Sequence, residues 1–300
     1  MSELAGVAVS GRSAQAQGLG GSDDPSSVQT PRSVRAGFGP RRPARAGTAG
    51  TRRRLSPWWG ALLPLALLGV WQLATSTGAY PASQLPSPAA VVRAAGDLWE
   101  RGLLQQHIAI SAQRVFVGFG LGAAAGLVVG SLVGLSRWAD ALLGPTIGAL
   151  RAVPSLAWVP LLLLWIGLGE PPKLVLVAIG AFFPVFTTTA SALRHVDANL
   201  VEAGRAFGLR GVSLLTQVQL PAAVPAVIAG LRLALAQAWL FLVAAELLAS
   251  SIGLGYLLTE SVNNGRTDRI FLAIITLAVL GKLSDAVVGL FERWALKRWA

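Results

Sequence analysis

The sequence predicts an all-α membrane protein with about six transmembrane helices and with both termini in the cytosol. Hydrophobic residues make up 53% of the 300 residues and charged residues only 13%, whereas a soluble domain carries about 25% charged residues. Several apolar runs reach the roughly 20 residues that a helix needs to cross a bilayer. Basic residues are more numerous on one side of these runs, and this excess predicts the orientation.

The composition also excludes several kinds of site. Cysteine is absent, which rules out disulfides, iron–sulfur clusters and thiolate metal sites. His107 and His195 lie far apart and outside any HExxH pattern, so no zinc hydrolase, metal site or cofactor is expected. Much of the net charge of +11 comes from the N-terminal arginines. Topology and an anionic lipid bilayer explain it better than a nucleic acid does.

The N-terminal segment 1–56 is rich in Gly, Ser, Ala, Pro and Arg and has too little apolar surface to fold. We predict that it is a disordered cytosolic tail. Its end, TRRRL at 51–55, could mimic a twin-arginine export signal. A positive-inside anchor for the first span is the better reading, because more spans follow.

Six apolar segments follow the tail, and each is predicted to cross the membrane once. Their approximate bounds are 58–75, 115–135, 141–168, 174–193, 222–249 and 270–290. The third and fifth are longer than a straight crossing requires. Pro145, Pro154 and Pro160 in the third and Pro225 in the fifth predict kinks or a first turn at the interface.

The segment 81–107, between the first two spans, is predicted to contain a short amphipathic helix at the outer interface. Its apolar residues recur at helical spacing: Val91, Val92, Ala95, Leu98 and Trp99. We therefore divide the chain into the tail 1–56, a first span with an external helix at 57–110, and a core at 111–300.

Basic residues outside the spans predict which side faces the cytosol. Together with the tail, one side holds Arg137, Arg194, Arg205, Arg210, Arg293, Lys297 and Arg298. The opposite side holds fewer: Arg93, Arg101, Lys173, Arg266 and Arg269. The bias is modest but consistent, and it places the polar segment 195–221 inside the cell.

Five glycines in the second span recur at intervals of four: Gly118, Gly122, Gly126, Gly130 and Gly134. This spacing lines them along one face of a helix, where another backbone can approach closely. Each glycine costs about 1 kcal/mol of helix stability relative to alanine, so close packing is needed to offset them. The sequence leaves open whether the packing is within one chain or between two.

The cytosolic segment 195–221 contains the most informative stretch, EAGRAFG at 202–208. Glu202 to Ala206 can form a helical turn with small residues on one face, and Gly208 is a natural helix stop. A second short apolar stretch leads to Pro221, where a first-turn proline loses no hydrogen bond. We predict a compact helix-turn-helix at the membrane face that contacts a soluble partner.

This pattern resembles the EAA loop of the integral membrane permeases of ATP-binding-cassette (ABC) importers. The matching residues are Glu202, Ala203, Gly204, Gly208, Leu220 and Pro221. In that family the loop is the coupling helix, which docks into a cleft of the cytosolic ATPase. Gly204 stands where alanine is commoner and Val218 where isoleucine is usual, and Gly204 should loosen the first helix slightly.

The resemblance extends over about residues 85 to 298 and points to the branch that imports aliphatic sulfonates, taurine or nitrate. Some relatives in that branch import pyrimidine precursors of thiamine. The stretches that carry it are LPSP at 85–88, RAVPSLAWVP at 151–160, GAFFP at 180–184, WLFLVAAE at 239–246 and GKLSD at 281–285. Sulfonate is the first choice, with the others as alternatives.

The resemblance implies the fold of a type I ABC importer permease and a set of partners. These are a dimer of cytosolic ATPase subunits, an extracytoplasmic solute-binding protein and a second copy of the permease. The chain itself contains no GxxxxGK[ST] phosphate loop, since Gly281-Lys282 is followed by leucine. ATP hydrolysis is therefore expected in another subunit, and no catalytic residue is predicted.

Ionisable residues within the spans are functional hypotheses by default, because charge at membrane depth is costly. Arg151, just before Pro154 and together with Trp158, is a candidate for a pathway that conducts an anionic headgroup. Trp239 and Glu246 are further candidates for this pathway. Alternatively, Arg151 or Arg232 could reach the cytosolic interface or pair with Glu246. Lys282 and Asp285, three residues apart, could neutralise each other.

A function in a different class is an intramembrane enzyme, such as a protease or a lipid-modifying transferase. It would need paired acids, a Ser–His pair or metal ligands at membrane depth. Glu246 and Asp285 are single acids on different spans. This reading would gain support if their two carboxylates faced each other around a water-filled cavity.

Overall fold

The computed structural model describes residues 58–78 and 80–299, and every regular element in these ranges is helical. Eleven helices are found there: α1 Trp58–Ser76, α2 Pro88–Glu100, α3 Leu103–Leu135, α4 Arg137–Ala152, α5 Trp158–Ile166, α6 Pro171–Arg194, α7 Ala198–Ala206, α8 Gly211–Leu214, α9 Leu220–Ala249, α10 Leu254–Asn263 and α11 Thr267–Trp299. The predicted all-α class is confirmed. The predicted tail 1–56 lies outside the described residues.

Four helical stretches in the described part are long and apolar enough to cross a membrane. They are Leu103–Leu135, Pro171–Arg194, Gly211–Ala249 and Thr267–Trp294, and a shorter apolar helix covers Leu62–Ser76. These stretches correspond to the second, fourth, fifth, sixth and first predicted spans.

The third predicted span, 141–168, is not a single helix. It consists of α4, which begins at Arg137, a 3-10 turn at Ser155–Ala157 and α5. Ser136 caps α4, since its side chain accepts a hydrogen bond from the Ala139 backbone N–H. Val153 is extended, with φ −70° and ψ 125°, because the residue before a proline avoids the helical region. Pro154 therefore breaks the span, and Pro160 lies in the first turn of α5.

The glycine face of α3 packs against α6 of the same chain. A Cβ atom added at Gly122 would overlap the Ala178 carbonyl oxygen and lie 2.9 Å from the Ala178 Cα. Added Cβ atoms at Gly126, Gly130 and Gly134 would each lie 2.9 Å from a carbonyl oxygen of α6. At Gly118 the added atom would lie 2.7 Å from the Val177 side chain. The two backbones thus touch along four turns, and the contact is within one chain.

The helix bundle has an inner end and an outer end. The inner end contains the turn between α3 and α4, the C-terminus of α6 and α7, which together line one cleft, and it also contains α8. The outer end contains α2, α10, and the starts of α3, α6 and α11. There α2 exists as predicted, with Val91, Ala94 and Leu98 buried against α10 and α11 and with Val92 and Trp99 exposed.

Candidate functional site

The EAGRAFG stretch forms the second half of α7 and the turn that follows it. Asp197 caps α7 by accepting a hydrogen bond of 2.9 Å from the Asn199 backbone N–H. At the other end Gly208 has φ +83°. The Leu209 N–H donates to the Gly204 carbonyl at 3.0 Å, and the Gly208 N–H donates to the Arg205 carbonyl at 2.9 Å. This is a Schellman motif, and it confirms Gly208 as the helix stop.

Gly204 is the point where α7 packs on the helix that follows. It is buried, and an added Cβ atom would lie 2.8 Å from the Leu214 side chain and 3.1 Å from the Val218 side chain. The departure from alanine at this position therefore coincides with a very close approach of two short helices. The slight loosening of α7 by Gly204 stays a prediction.

A continuous helical path leads from this packing contact into the fifth span. It runs from α8 through a single π turn at Leu215–Gln219 into α9. Leu220 and Pro221 occupy the first turn of α9. Because no non-helical residue interrupts the path, a displacement of α7 and α8 can be transmitted directly to α9.

The surface of this element is apolar at its tip and charged at its side. Phe207 is 87% exposed and Val212 is 75% exposed, while Glu202, Ala203 and Arg205 are exposed around them. The small residues of this stretch were singled out from the sequence, and the exposed Phe207 was not. The signal that points to it is a large aromatic residue directly before the glycine stop.

A cleft of about 740 Å³ lies between α7 and the turn that joins α3 and α4. Its charged lining consists of Arg137, Asp140, Arg194, Glu202 and Arg205. The Arg194 Nη2 atom lies 2.7 Å from the Asp140 Oδ1 atom, which joins α6 to α4. We refer to α7, α8 and the π turn, residues 198–219, as the docking element.

Glu246 lies at the outer end, in a buried network rather than beside Arg151 or Arg232. Its carboxylate accepts hydrogen bonds from Arg114 Nη1 at 2.7 Å, Ser111 Oγ at 2.9 Å and the Gly255 N–H at 2.8 Å. The residue is 1% exposed. Glu246 is therefore a structural partner of Arg114, and the alternative in which Arg151 or Arg232 pairs with Glu246 is not what the structure shows.

Arg114 was not anticipated, because the second apolar run was taken to begin at Val115. Its guanidinium also binds Glu170, with Nε–Oε2 at 2.7 Å and Nη2–Oε1 at 2.6 Å. Lys173 Nζ lies 3.0 Å from the same carboxylate. The hydrogen bond from Arg114 lowers the pKa of Glu170 from 4.5 to about 2. The four charges therefore compensate one another and join α3, α6 and α9.

Arg232 has two acidic partners on α11. It binds Asp285 bidentately at 2.9 and 3.0 Å and Glu292 at 2.9 Å. Lys282 Nζ lies farther from Asp285, at 3.6 Å. The expected Lys282–Asp285 pair exists, but the main partner of Asp285 is Arg232. Glu246 and Asp285 thus belong to separate ion pairs, so these two carboxylates do not face each other as the intramembrane-enzyme hypothesis requires.

The other four pathway candidates lie in different surroundings: they are Trp239, Trp158, Pro154 and Arg151. Trp239 is buried, and its Nε1–H donates to Ser284 Oγ at 2.9 Å, so it packs α9 against α11. Trp158 is half-buried, and its Nε1 atom has no hydrogen-bond partner in the described part. Pro154 is exposed at the helix break. Arg151 is exposed and lines a cleft of about 300 Å³ between α4 and α6.

A search of the described residues finds no group of three or more His, Asp or Glu side chains that could hold a metal ion.

Comparison with known proteins shows what this chain is similar to. Residues 122–297 match the family model described as the inner membrane component of binding-protein-dependent transport systems. The chain is 44% identical to the putative aliphatic sulfonates transport permease protein SsuC of Escherichia coli K12, with 82% of this chain and 92% of that protein aligned. It is 42% identical to its counterpart of the same name in Bacillus subtilis, with 82% and 89% aligned.

A more distant relative and a solved structure extend the comparison. The bicarbonate transport system permease protein CmpB of Synechococcus elongatus is 34% identical, with 79% of this chain and 90% of that protein aligned. An inward-facing structure of the MetNI methionine ABC transporter superposes with a TM-score of 0.57 and 22% identity, covering 65% of this chain and 97% of that chain. The predicted fold of an ABC importer permease is thereby confirmed.

Proposed function

Because the chain belongs to the family of inner membrane components of binding-protein-dependent transport systems, we propose that it is the permease of an aliphatic sulfonate importer. It is a multi-pass protein of the plasma membrane and a transport component rather than an enzyme. The observation that carries the transport mechanism is the unbroken helical path from α8 of the exposed docking element into α9. Through that path, a separate ATPase subunit can move a membrane span directly.

The motor is a separate ATPase subunit, present as a dimer. Two features support this assignment. The sequence lacks a phosphate-binding loop, and the tip of the docking element carries an exposed Phe207. A large aromatic side chain that inserts into a partner's cleft is a typical hot spot of a protein interface. Glu202, Ala203 and Gly208 surround this tip, while Gly204, Leu220 and Pro221 connect it to the bundle.

The buried network around Glu246 holds the outer end of α9 in place. Glu246 lies 26 residues after Leu220 on the continuous helix α9, which corresponds to about 39 Å at 1.5 Å per residue. The buried bonds to Arg114 and Ser111 hold that end against α3. When ATP binding draws the two ATPase subunits together, the inner half of α9 moves while its outer end is held. The cavity formed with a second permease copy then alternates between outward and inward opening.

Substrate choice rests on the relatives. The two sulfonate permeases are 44% and 42% identical, whereas the bicarbonate permease is 34% identical. Taurine, nitrate and a thiamine-precursor pyrimidine are the alternatives within the same branch. An extracytoplasmic binding protein delivers the solute, and it carries much of the selectivity of such a system.

Growth on a sulfonate as the sole sulfur source tests this proposal. A strain that lacks the gene, and that has no second sulfonate importer, should fail to grow with ethanesulfonate as the sole sulfur source but should grow normally on sulfate. Reintroduction of the gene should restore growth on ethanesulfonate. Normal growth of the deletion strain on ethanesulfonate would remove sulfonate as the substrate. A defect with taurine or nitrate alone would assign one of the alternatives.

A further inference from the structure

Between α4 and α6, a cleft combines an unpaired guanidinium with a hydroxyl-bearing helix face. Within the described residues Arg151 makes no hydrogen bond and no ion pair. Its neighbour in the cleft, Arg194, is already paired with Asp140 at 2.7 Å. The other arginines bonded across spans, Arg114 and Arg232, each have two carboxylate partners. Arg151 is therefore the guanidinium in this cleft that is available to an anion.

Arg151 lies too far along α4 to reach the inner interface easily. The Asp140–Arg194 pair marks the inner end of the cleft, and Arg151 is eleven residues further along the helix (151 − 140 = 11), about 16 Å at 1.5 Å per residue. An arginine at that depth is costly unless it meets water or an anion. The cleft of about 300 Å³ is within the range of small-molecule sites, which is roughly 300–1,000 Å³.

The facing wall of α6 carries two hydroxyl side chains. Thr187 and Ser191 line the cleft, but the Thr187 hydroxyl donates to the Phe183 carbonyl of its own helix. Ser191 is exposed, and its hydroxyl contacts a single described partner, His195 Nδ1, at a long 3.5 Å. Ser191 is also three residues from Arg194, at the inner end of the cleft and about 12 Å from Arg151 along the helix axes. Arg151 is therefore the residue that binds the charged end of a ligand.

Asp140, Arg194 and His195 line the polar inner end of the cleft, and between that end and Arg151 the walls are mostly apolar or open. Ile147, Phe186 and Ala190 line it with hydrocarbon. Gly148 also lines it, and an added Cβ atom at Gly148 would meet nothing within 4 Å. A ligand with one charged oxygen-rich end and one short apolar end matches this arrangement, because guanidinium suits planar arrays of oxygen acceptors. Small inorganic anions would leave the hydrocarbon walls unused.

We propose that the cleft between α4 and α6 binds the transported solute in the inner half of the pathway, with Arg151 on the sulfonate group and Ile147, Phe186 and Ala190 on the alkyl chain. This inference rests on the proposed function and adds the residues that select a small organic anion. A lipid phosphate offers the same acceptor chemistry, so the test must separate lipid from solute.

The experiment uses the complete importer, with ATPase and binding protein, in proteoliposomes. Initial uptake rates are measured for methane-, ethane- and butanesulfonate. Because the binding protein is unchanged, the ratio of variant to unaltered rates isolates the contribution of the permease. Arg151→Ala should lower kcat/KM at least about tenfold for all three solutes, the loss of one charged hydrogen bond. Arg293→Ala, an exposed arginine outside the clefts, is the matched control and should leave uptake unchanged.

Gly148→Leu tests the apolar walls without disturbing packing, since its Cβ atom enters open space. Its uptake ratio should fall with chain length, by about tenfold more for butanesulfonate than for methanesulfonate. Gly281→Leu, also in open space but on α11, should show no dependence on chain length.

Three outcomes would each contradict a different part of the proposal. If the unaltered importer moves sulfonates while Arg151→Ala and Gly148→Leu behave like their controls, the cleft is not the solute site and the proposed function stands. If Arg151→Ala changes thermal stability only when anionic lipid is added, and uptake is unaffected, the guanidinium binds lipid and the inference is wrong. If the unaltered importer moves no sulfonate, the proposed function and this inference both fail.

Discussion

The glycine face of α3 predicts a graded effect of single alanine substitutions. At Gly122 the new Cβ atom would overlap the Ala178 carbonyl oxygen, so α3 and α6 must separate by about 1 Å to reach an ordinary contact. Overpacking of this kind costs about 1–3 kcal/mol, while alanine returns about 1 kcal/mol of helix propensity. We expect Gly122→Ala to lower the free energy of unfolding by up to about 2 kcal/mol.

Gly120 provides the matched control, because it lies on the same helix and an added Cβ atom there meets nothing within 4 Å. Gly120→Ala should therefore leave stability unchanged or raise it by about 1 kcal/mol. Gly126→Ala, with its carbonyl contact at 2.9 Å, should fall between the two. The assay is thermal unfolding of the detergent-purified permease, followed by its circular dichroism. Equal melting temperatures for Gly122→Ala and Gly120→Ala would refute the inferred close packing.

Three further perturbations test the docking element and the outer network. Phe207→Ala should weaken binding of the ATPase by about 1.5–3 kcal/mol, because the buried area of the Phe207 side chain is lost. Quantitative pull-down measures this loss, and Leu68→Ala on α1 should leave binding unchanged. Glu246→Ala leaves Arg114 buried without one of its acids, and should lower the free energy of unfolding by about 3–5 kcal/mol; an unchanged melting temperature would contradict the network. Glu170 has its pKa lowered to about 2, so its stabilising effect is present above about pH 4.5 and is lost as pH falls toward 2. The difference in melting temperature between the unaltered protein and Glu170→Gln should shrink over that range, and a constant difference would argue against the ion pair.

Local patterns in the sequence predicted much of the fold and the docking element. The four-residue spacing from Gly118 to Gly134 identified the packed face of α3, because helical periodicity fixes which side chains share a face. Gly208 was identified as a helix stop because its left-handed conformation is a local property. Pro154 was recognised as a possible kink, but the complete separation of α4 from α5 depends on the surrounding packing.

Pairing across the bundle was not predictable from local patterns. Arg114 and Glu246 are 132 residues apart, and periodicity specifies a face without specifying its partner. Asp285 has a local neighbour in Lys282, yet its main bonds are to Arg232, 53 residues away. For Asp285 the bidentate guanidinium geometry outweighs proximity in sequence, since two parallel hydrogen bonds are stronger than one distant ammonium contact.

The exposed tip of the docking element was missed for a related reason. Small residues at Ala203 and Ala206 suggested where a partner could approach, but Phe207 is the side chain that projects, at 87% exposure. Exposure depends on where α8 packs, and that in turn depends on the buried Gly204. The local pattern therefore located the element and its two ends, and the structure added the exposed Phe207 at its tip.

The central claim is that the docking element lies in the cytosol and touches the ATPase. The chain contains no cysteine, so Phe207→Cys and Asn264→Cys each introduce a single thiol, at the inner and outer ends respectively. In the assembled importer a short bifunctional cross-linker should join position 207 to the ATPase, with a yield that changes when ATP is added. An impermeant maleimide applied to intact spheroplasts should label position 264 and not 207. Labelling of position 207 from outside, or cross-linking at 264 instead of 207, would contradict the account.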